Sequence, residues 1–393
     1  MTTSATMRQP IDKESLERYL NLHVPEIKVP VQIRQFEYGQ SNPTYQLTDS
    51  KGQHFVLRKK PPGKLLTTAA HQVEREYRVI SALSGTGIPV PKSYCLCEDS
   101  SVVGTPFYIM EFLDGRIFEE AYIPGVSPEE RSLMWKEAVK TLARLHRVDP
   151  VAVGLTNFGK PRGFYTRQIR TLKRLDESYS KVIDVESGEA VGRIPHMDEM
   201  VAFFEDERHW PQDRGSITHG DYKIDNLVYH KTKPEIIGIL DWEIATVGHP
   251  LSDLSNMTMP WTVTQNFKEI KTHSHPAFDV GAGPPGLPTK EQCLEWYREE
   301  AGGWDPTGEI AWADAFAIFR TSVMIQGIAA RWAVRQASGE GSSAGTLALE
   351  RFPYARAALK MVRDFKSAEE RERNNNNSSS SGGGSKAAAS SRL

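Results

Sequence analysis

The segment Ile217-Thr218-His219-Gly220-Asp221-Tyr222-Lys223-Ile224-Asp225-Asn226-Leu227-Val228 places an amide five positions after an acid. The run Ile236-Ile237-Gly238-Ile239-Leu240 then leads into Asp241-Trp242-Glu243. Phosphoryl transfer from a nucleotide needs such a set. One carboxylate must orient the attacking hydroxyl and take its proton, while a carboxylate and a neutral amide oxygen hold Mg²⁺ against phosphate oxygens. Asp221 suits the first role; Asn226 and Asp241 suit the second. A His-Gly-Asp tripeptide alone is weak evidence, since it also occurs in turns. The weight lies in three polar residues at defined offsets with apolar segments between them, because burying two acids merely as fold elements costs energy without partners.

The surrounding sequence divides into a small β-rich front part and a larger helical back part. Residues 31–113 read mostly as strands around one helix: VQIRQFEYGQSNPTYQLTD and HFVLRKK are short, partly alternating and broken by turn residues. Thr67 or Thr68 is the expected cap of a helix with Ala70, Val73, Tyr77, Ile80 and Leu83 on its apolar face, stopped by Gly85. Val102 to Phe112 reads as a further strand. Ser127, Pro128 and Glu130 then form a helix start signal: cap, first-turn proline and an acid at the capping-box position. Trp135, Ala138, Val139, Leu142 and Leu145 recur behind them at helical spacing. Further helices are expected around 164–178, 289–300 and 309–336. The organisation is therefore 1–30, an extension with a short helix; 31–113, a β-rich unit; 114–368, a helical unit; and 369–393, a tail whose Asn, Ser, Gly and Ala blocks read as a disordered tether.

Composition excludes several classes. With 48 Lys+Arg against 50 Asp+Glu in 393 residues, the formal net charge is −2, which argues against a protein that coats nucleic acid. Three cysteines make no disulfide framework, and Cys95-x-Cys97 has no partner pair for zinc. The longest apolar stretch, Ile310 to Val334, is interrupted by Asp314, Arg320, Gln326 and Arg331, so no membrane span is expected.

The chain resembles the aminoglycoside phosphotransferase and choline kinase branch of the protein-kinase-like fold, and more closely the phosphotransferase domain fused to acyl-CoA dehydrogenases. The matching segments are Gly39 to Tyr45, Phe55 to Arg58, Arg75-Glu76-Tyr77, Ile88 to Pro91, His219 to Asn226, Asp241 to Glu243 and Gly248 to Leu254, within roughly residues 31–335. The resemblance implies a bilobed α+β fold, with a small antiparallel-sheet N-lobe and a mainly helical C-lobe, that uses ATP and Mg²⁺. Gly39, Ser41 and Asn42 would then lie in the turn over the triphosphate; this loop has one Gly and departs from the protein-kinase pattern. Arg58 falls where protein kinases place a phosphate-binding Lys, with Lys60 as reserve. Glu76 would pair with Arg58, Glu74 being the alternative. Met110, Glu111 and Phe112 would form the adenine-reading hinge, and Asp253 would brace the catalytic loop. His219 is expected to pack and hydrogen-bond rather than act as a base.

No activation segment ending in Ala-Pro-Glu is visible, so a small hydroxyl acceptor is expected rather than a peptide. Arg167, Arg170 and Arg174 recur at i, i+3 and i+7 beside Lys160, Arg162 and Lys173. Such a stripe suits the phosphates of a CoA thioester; a solvated surface balanced by Asp176 and Glu177 is the bland alternative. Arg320, if buried on its apolar helix, would call for an anionic partner. The resemblance implies phosphorylation of a hydroxyacyl-CoA in fatty-acid catabolism, with a separate acyl-CoA dehydrogenase for any second step. Another small alcohol, choline- or aminoglycoside-like, and a nucleotide-binding pseudokinase are the alternatives. The final Ser391-Arg392-Leu393 reads as a peroxisomal address for an import receptor; without it the expected location is cytoplasmic.

Overall fold

The computed structural model describes residues 10–36, 42–61, 72–336 and 341–381. Gly39, Ser41, the cap candidates Thr67 and Thr68, Ala70 and the terminal Ser391-Arg392-Leu393 lie outside the described residues. Two compact units are formed. One comprises the described residues to Arg167 with Gln212–Ile310; the other comprises Gln168–Pro211 with the described residues from Ala311 onward.

The first unit opens with α1 (Lys13–His23), capped by the Asp12 carboxylate, which accepts from the Ser15 N–H. Leu16 and Leu20 of α1, with Val24, Ile27 and Val31 after it, enter one apolar cluster with Tyr45, Leu47, Phe55, Leu57, Phe107 and Ile109. The stretch read from sequence as an extension is thus built into the N-lobe core. The sheet consists of β1 (Gln32–Gln35), β2 (Thr44–Thr48), β3 (His54–Lys59), β4 (Ser93–Cys97) and β5 (Phe107–Glu111), in the order β1-β2-β3-β5-β4 with every pair antiparallel. In the β3–β5 register Arg58 faces Tyr108 and Val56 faces Met110, which sets the arginine beside the strand leading to the expected hinge. Against the sheet lies α2 (Val73–Leu83), with Gln72 at its cap position and Val73, Glu76, Val79, Ile80 and Leu83 buried.

The strand expected from Val102 begins only at Phe107. Residues Ser100–Val103 form instead a short helix, α3, because Asp99 accepts from the Ser101 N–H and Gly104 closes the turn at φ +87°. Local capping chemistry overrides the β-propensity of the two valines.

In the C-lobe, α4 (Pro128–Arg147) starts where its signal sits: Ser127 Oγ accepts from the Glu130 N–H at 3.1 Å. The Glu130 carboxylate accepts from Arg116 Nη2 at 2.7 Å. Two antiparallel ribbons follow α5 (Phe164–Tyr179) and α6 (Met197–Phe204): β6 (Ser216–Thr218) pairs with β9 (Thr246–Gly248), and β7 (Leu227–Tyr229) pairs with β8 (Ile236–Ile239). Each ribbon delivers one of the two acids at a strand end. Behind them run α7 (Leu251–Asn266) and α8 (Lys290–Glu300), the latter with a reciprocal Thr289/Gln292 capping box.

The second unit contains α9 (Ile310–Ala333) from Ala311 onward, α10 (Gly341–Leu349) and α11 (Arg351–Ser381). Phe204 packs against Trp312, Phe316 and Phe319, and Phe203 against Phe365. Asp176, read from sequence as a surface balance, is buried: its Oδ1 accepts from Ile194 N–H and Gln326 Nε2, and its Oδ2 from Arg193 Nε. Arg320 is half-buried and Arg331 exposed. The last helix continues to Ser381, past residue 369 where the sequence places a tether. Once a turn exists each added residue costs little, and beyond Pro353 in the first turn neither Pro nor Gly occurs before the end of the helix at Ser381. No helix among the described residues is long and apolar enough to cross a membrane.

Candidate active site

Strand β6 ends at Thr218, and after His219 the chain turns through Gly220 at φ +88°. A Cβ at that position would lie 2.8 Å from Ile244 Cγ1, so only glycine fits. Two fixings hold the turn. The fully buried Asp253, in the first turn of α7, accepts the His219 N–H at 2.7 Å and the Gly220 N–H at 2.8 Å. Burial would raise the Asp253 pKa, but the hydrogen bonds from His146 and the Gly220 N–H outweigh it and hold the carboxyl below its ordinary value. His219 supplies the second fixing: its Nδ1 accepts from the Asp221 N–H at 3.2 Å and its Nε2 meets Leu240 O at 2.8 Å. That pattern requires a neutral imidazole protonated at Nε2, a connector rather than a base.

Asp221 is part-buried. Asn226 Nδ2 donates to its backbone oxygen at 2.8 Å and to Oδ2 at 3.2 Å, closing the 3₁₀ turn Ile224–Asn226 onto the acid. With its nitrogen so engaged, the Asn226 amide presents its oxygen as the remaining donor atom. The Leu240 N–H donates to Asn226 O at 2.9 Å, so the residue before Asp241 is tied to the residue five after Asp221. Asp241 follows in the left-handed region, φ +65°, which turns its carboxylate off the end of β8.

Asp241 Oδ1 accepts from Arg58 Nη2 at 2.8 Å. Arg58 also lies 3.3 Å from Glu243 Oε2 and 3.2 Å from Glu76 Oε2. Glu76 is fully buried, with Asn42 Nδ2 donating to Oε1 at 2.8 Å and the Tyr108 hydroxyl to Oε2 at 3.0 Å. Burial disfavours the Arg58 charge, yet Glu76, Tyr108, Asp241 and Glu243 together raise its pKa above the ordinary value. Burial raises the Glu76 carboxyl as well, against the pull of Arg58. The two alternatives left open by sequence separate here: Glu76 takes Arg58, while Lys60 and Glu74 pair with each other at 2.7 Å nearer the surface. Asn42 turns its side chain inward onto Glu76.

At the expected hinge Met110 is buried and Glu111 exposed, with the Glu111 N–H donating to Lys92 O at 2.8 Å. The half-buried Phe112 meets the His54 ring edge-on at 5.5 Å. Of the basic stripe, Arg170 and Arg174 are exposed, whereas Arg167 is half-buried and donates to the carbonyl oxygens of Arg162 and Lys160.

Lys223 was not singled out by sequence reasoning. Its Nζ lies 3.0 Å from Asp225 Oδ2 and 3.5 Å from Asp221 Oδ2. Burial opposes its charge, but Asp221 and Asp225 raise its pKa. A basic residue two positions after the candidate base was the available signal. No group of three or more His, Cys, Asp or Glu suited to a metal occurs among the described residues. The donor set is one carboxylate and one amide oxygen, hard ligands that suit Mg²⁺ when phosphate oxygens and water complete its shell.

The family model for APH, a phosphotransferase enzyme family, matches residues 32–280. The chain belongs to this family. Phosphoryl transfer to a hydroxyl, the enzyme class expected from the sequence, is the activity class of the family. A probable acyl-CoA dehydrogenase of Arabidopsis thaliana is 37% identical over 313 residues, covering 78% of this chain and 37% of that protein. Acyl-CoA dehydrogenase family member 11 of Rattus norvegicus is 34% identical over 345 residues, covering 87% of this chain and 42% of that protein. The chain thus spans about two fifths of the length of these relatives. A Ralstonia eutropha crystal structure assigned as an aminoglycoside phosphotransferase aligns at TM-score 0.75 with 35% identity, covering 90% of this chain and 99% of that one. Plasmodium vivax ethanolamine kinase aligns at TM-score 0.55 with 16% identity over 88% of this chain and 85% of that one, a likeness of fold alone. The bilobed α+β kinase-like fold is therefore that of the phosphotransferase family.

Proposed function

We propose that this chain transfers the γ-phosphoryl group of ATP to the hydroxyl of a small molecule, and that the acceptor is a hydroxyacyl-CoA. The observation that carries the transfer is the closed set of contacts from Asp221 through Asn226 and Leu240 to Asp241 and Arg58. It links the candidate base, the two candidate oxygen ligands and a buried cation through successive contacts.

Asp221 accepts the proton of the acceptor hydroxyl as its oxygen bonds to the γ-phosphorus. The bond from that phosphorus to the β–γ bridging oxygen breaks, and ADP leaves. Lys223 offsets the negative charge that Asp221 and Asp225 place beside incoming phosphate. Asn226 and Asp241 are the residues to hold Mg²⁺, which when bound supplies charge neutralisation to the phosphate oxygens. Arg58, oriented by Glu76, is poised for the phosphates that lie between the lobes of such enzymes. The catalytic loop is already fixed by Asp253 and His219, so little reorganisation is needed at the moment of transfer.

Two features support a CoA thioester. Relatives at 37% and 34% identity are named acyl-CoA dehydrogenases, and Lys160, Arg162, Arg170 and Arg174 are basic residues close in sequence. The test is a radiolabelled-ATP screen across hydroxyacyl-CoAs, choline, sugars and aminoglycosides. Label on a hydroxyacyl-CoA is the expected result; label confined to a non-CoA acceptor removes the acceptor assignment, and no transfer to any alcohol removes the transfer itself.

A further inference from the structure

The segment Arg75-Glu76-Tyr77 contributes Glu76 to the site, but its arginine has no part in the chemistry above. Arg75 sits in the first turn of α2, whose cap residue Gln72 makes no side-chain cap. Its guanidinium reaches out of the N-lobe: Nη2 donates to Phe158 O at 2.9 Å and to Ala245 O at 3.2 Å, and Cζ lies 4.1 Å from the Phe158 ring centroid. Both acceptors are rigidly placed. Phe158 is buried, and a Cβ on Gly159 would fall 2.7 Å from Val247 N, so the 158–159 backbone lies flush against β9. Ala245 closes the turn after Asp241, its N–H donating to Trp242 O at 3.1 Å. One turn further along α2, Arg78 Nη2 donates to Gly154 O at 3.1 Å and is exposed.

We propose that Arg75 is a positioning residue: it pins the first turn of α2 to the Phe158/Ala245 platform and thereby sets Glu76 on Arg58 at the register that leaves Arg58 bridging to Asp241. Arg75 touches neither Arg58 nor Asp241; it fixes the lever on which Glu76 rides. A guanidinium suits this because two carbonyls and an aromatic face are engaged by one planar group, which lysine cannot do. The proposal rests on the reading of Arg58 as the phosphate grip only for its kinetic consequence; the mechanical claim stands by itself.

The experiment compares R75A, R75K, R78A, E76Q and R75A/E76Q in the full chain. If Arg75 acts through Glu76, R75A lowers kcat and MgATP affinity about as E76Q does, roughly tenfold, and the double variant is no worse than E76Q alone. R78A, which removes the same charge from the same helix, stays within about twofold of the parent. Effects of R75A and E76Q that multiply, or R75A kinetics equal to the parent, overturn the proposal. Amide hydrogen exchange without nucleotide gives a second reading: R75A speeds exchange over Val73–Leu83 and leaves α8 unchanged, and unchanged exchange in α2 overturns it. R75K, which keeps a cation but loses the planar fork, should lie between and serves in the same assays if R75A does not fold. Were the parent chain itself not to bind MgATP, the transfer reading would fail while the exchange result still decided Arg75.

Discussion

Arg58 is where residue chemistry most shapes this site. A lysine would offer one compact ammonium; the guanidinium lies within 3.3 Å of Glu76, Asp241 and Glu243 at once, and so joins α2, β3 and the strand end after β8. Asp221 stands outside that ion network. Its Oδ2 accepts from Asn226 Nδ2 at 3.2 Å and lies 3.5 Å from Lys223 Nζ, contacts separate from the Arg58 cluster, so it can serve a substrate proton without disturbing that cluster. Asp221→Asn should therefore cut kcat by roughly 10²- to 10⁴-fold, the worth of a positioned base, while MgATP affinity by titration changes little. A variant that still turned over at the parental rate would remove Asp221 from the role. Asp221, Asn226 and Asp241 were legible because their spacing is a chemical statement in itself. Glu76 over Glu74 was not: both acids sit in the first turn of one helix, and the choice is made by Asn42 and Tyr108, 34 and 32 residues away in sequence.

Among the elements, the start signal at Ser127 was readable to the residue, since it caps α4, and the helix expected around 289–300 is α8. The misread ones turn on competition between local chemistry and pattern, as with the Asp99 cap that made α3 out of an expected strand. The β9–α7 junction carries a further consequence. His249 is fully buried there, its Nε2 meeting Gln212 O at 3.0 Å and its Nδ1 accepting the Leu251 N–H at 3.2 Å, a pattern that requires the neutral ring. Burial pushes its pKa down to about 4. In the unfolded chain the ring titrates near ~6.5. Its folded value is the lower one, so its stabilising contribution is present above the unfolded pKa and is lost as pH falls from there toward the folded value. Within that window the unfolding free energy should drop by about 1.4 kcal/mol per pH unit from this group. His249→Gln, measured by urea unfolding across the window, should flatten that slope; parallel slopes in variant and parent would place the titration elsewhere.

At the scale of the whole molecule, charge is the property that discriminates acceptors. The net charge of −2 gives no global attraction for an anion, so any preference for CoA phosphates must come from local groups. Lys160, Arg162, Arg170 and Arg174 are exposed and are the groups proposed for it, while Arg167 spends its guanidinium on the backbone of its own loop. Sequence spacing placed all three stripe arginines on one helix face; the inward turn of Arg167 depends on nearby carbonyls that no periodicity reveals. Exposed charges act through solvent and are screened over about 8 Å at physiological salt. If Arg170 and Arg174 recruit the CoA phosphates, KM for a hydroxyacyl-CoA should rise several-fold between low and physiological ionic strength, with kcat unchanged, because screening weakens capture and not the transfer step. For an uncharged alcohol acceptor, the same salt series should leave KM flat. Arg170→Glu/Arg174→Glu should raise KM for the CoA substrate and remove most of its salt dependence. A double variant that keeps both the parental KM and its salt slope would show that the phosphates are gripped by other residues, leaving the Asp221 chemistry intact and the stripe without a role.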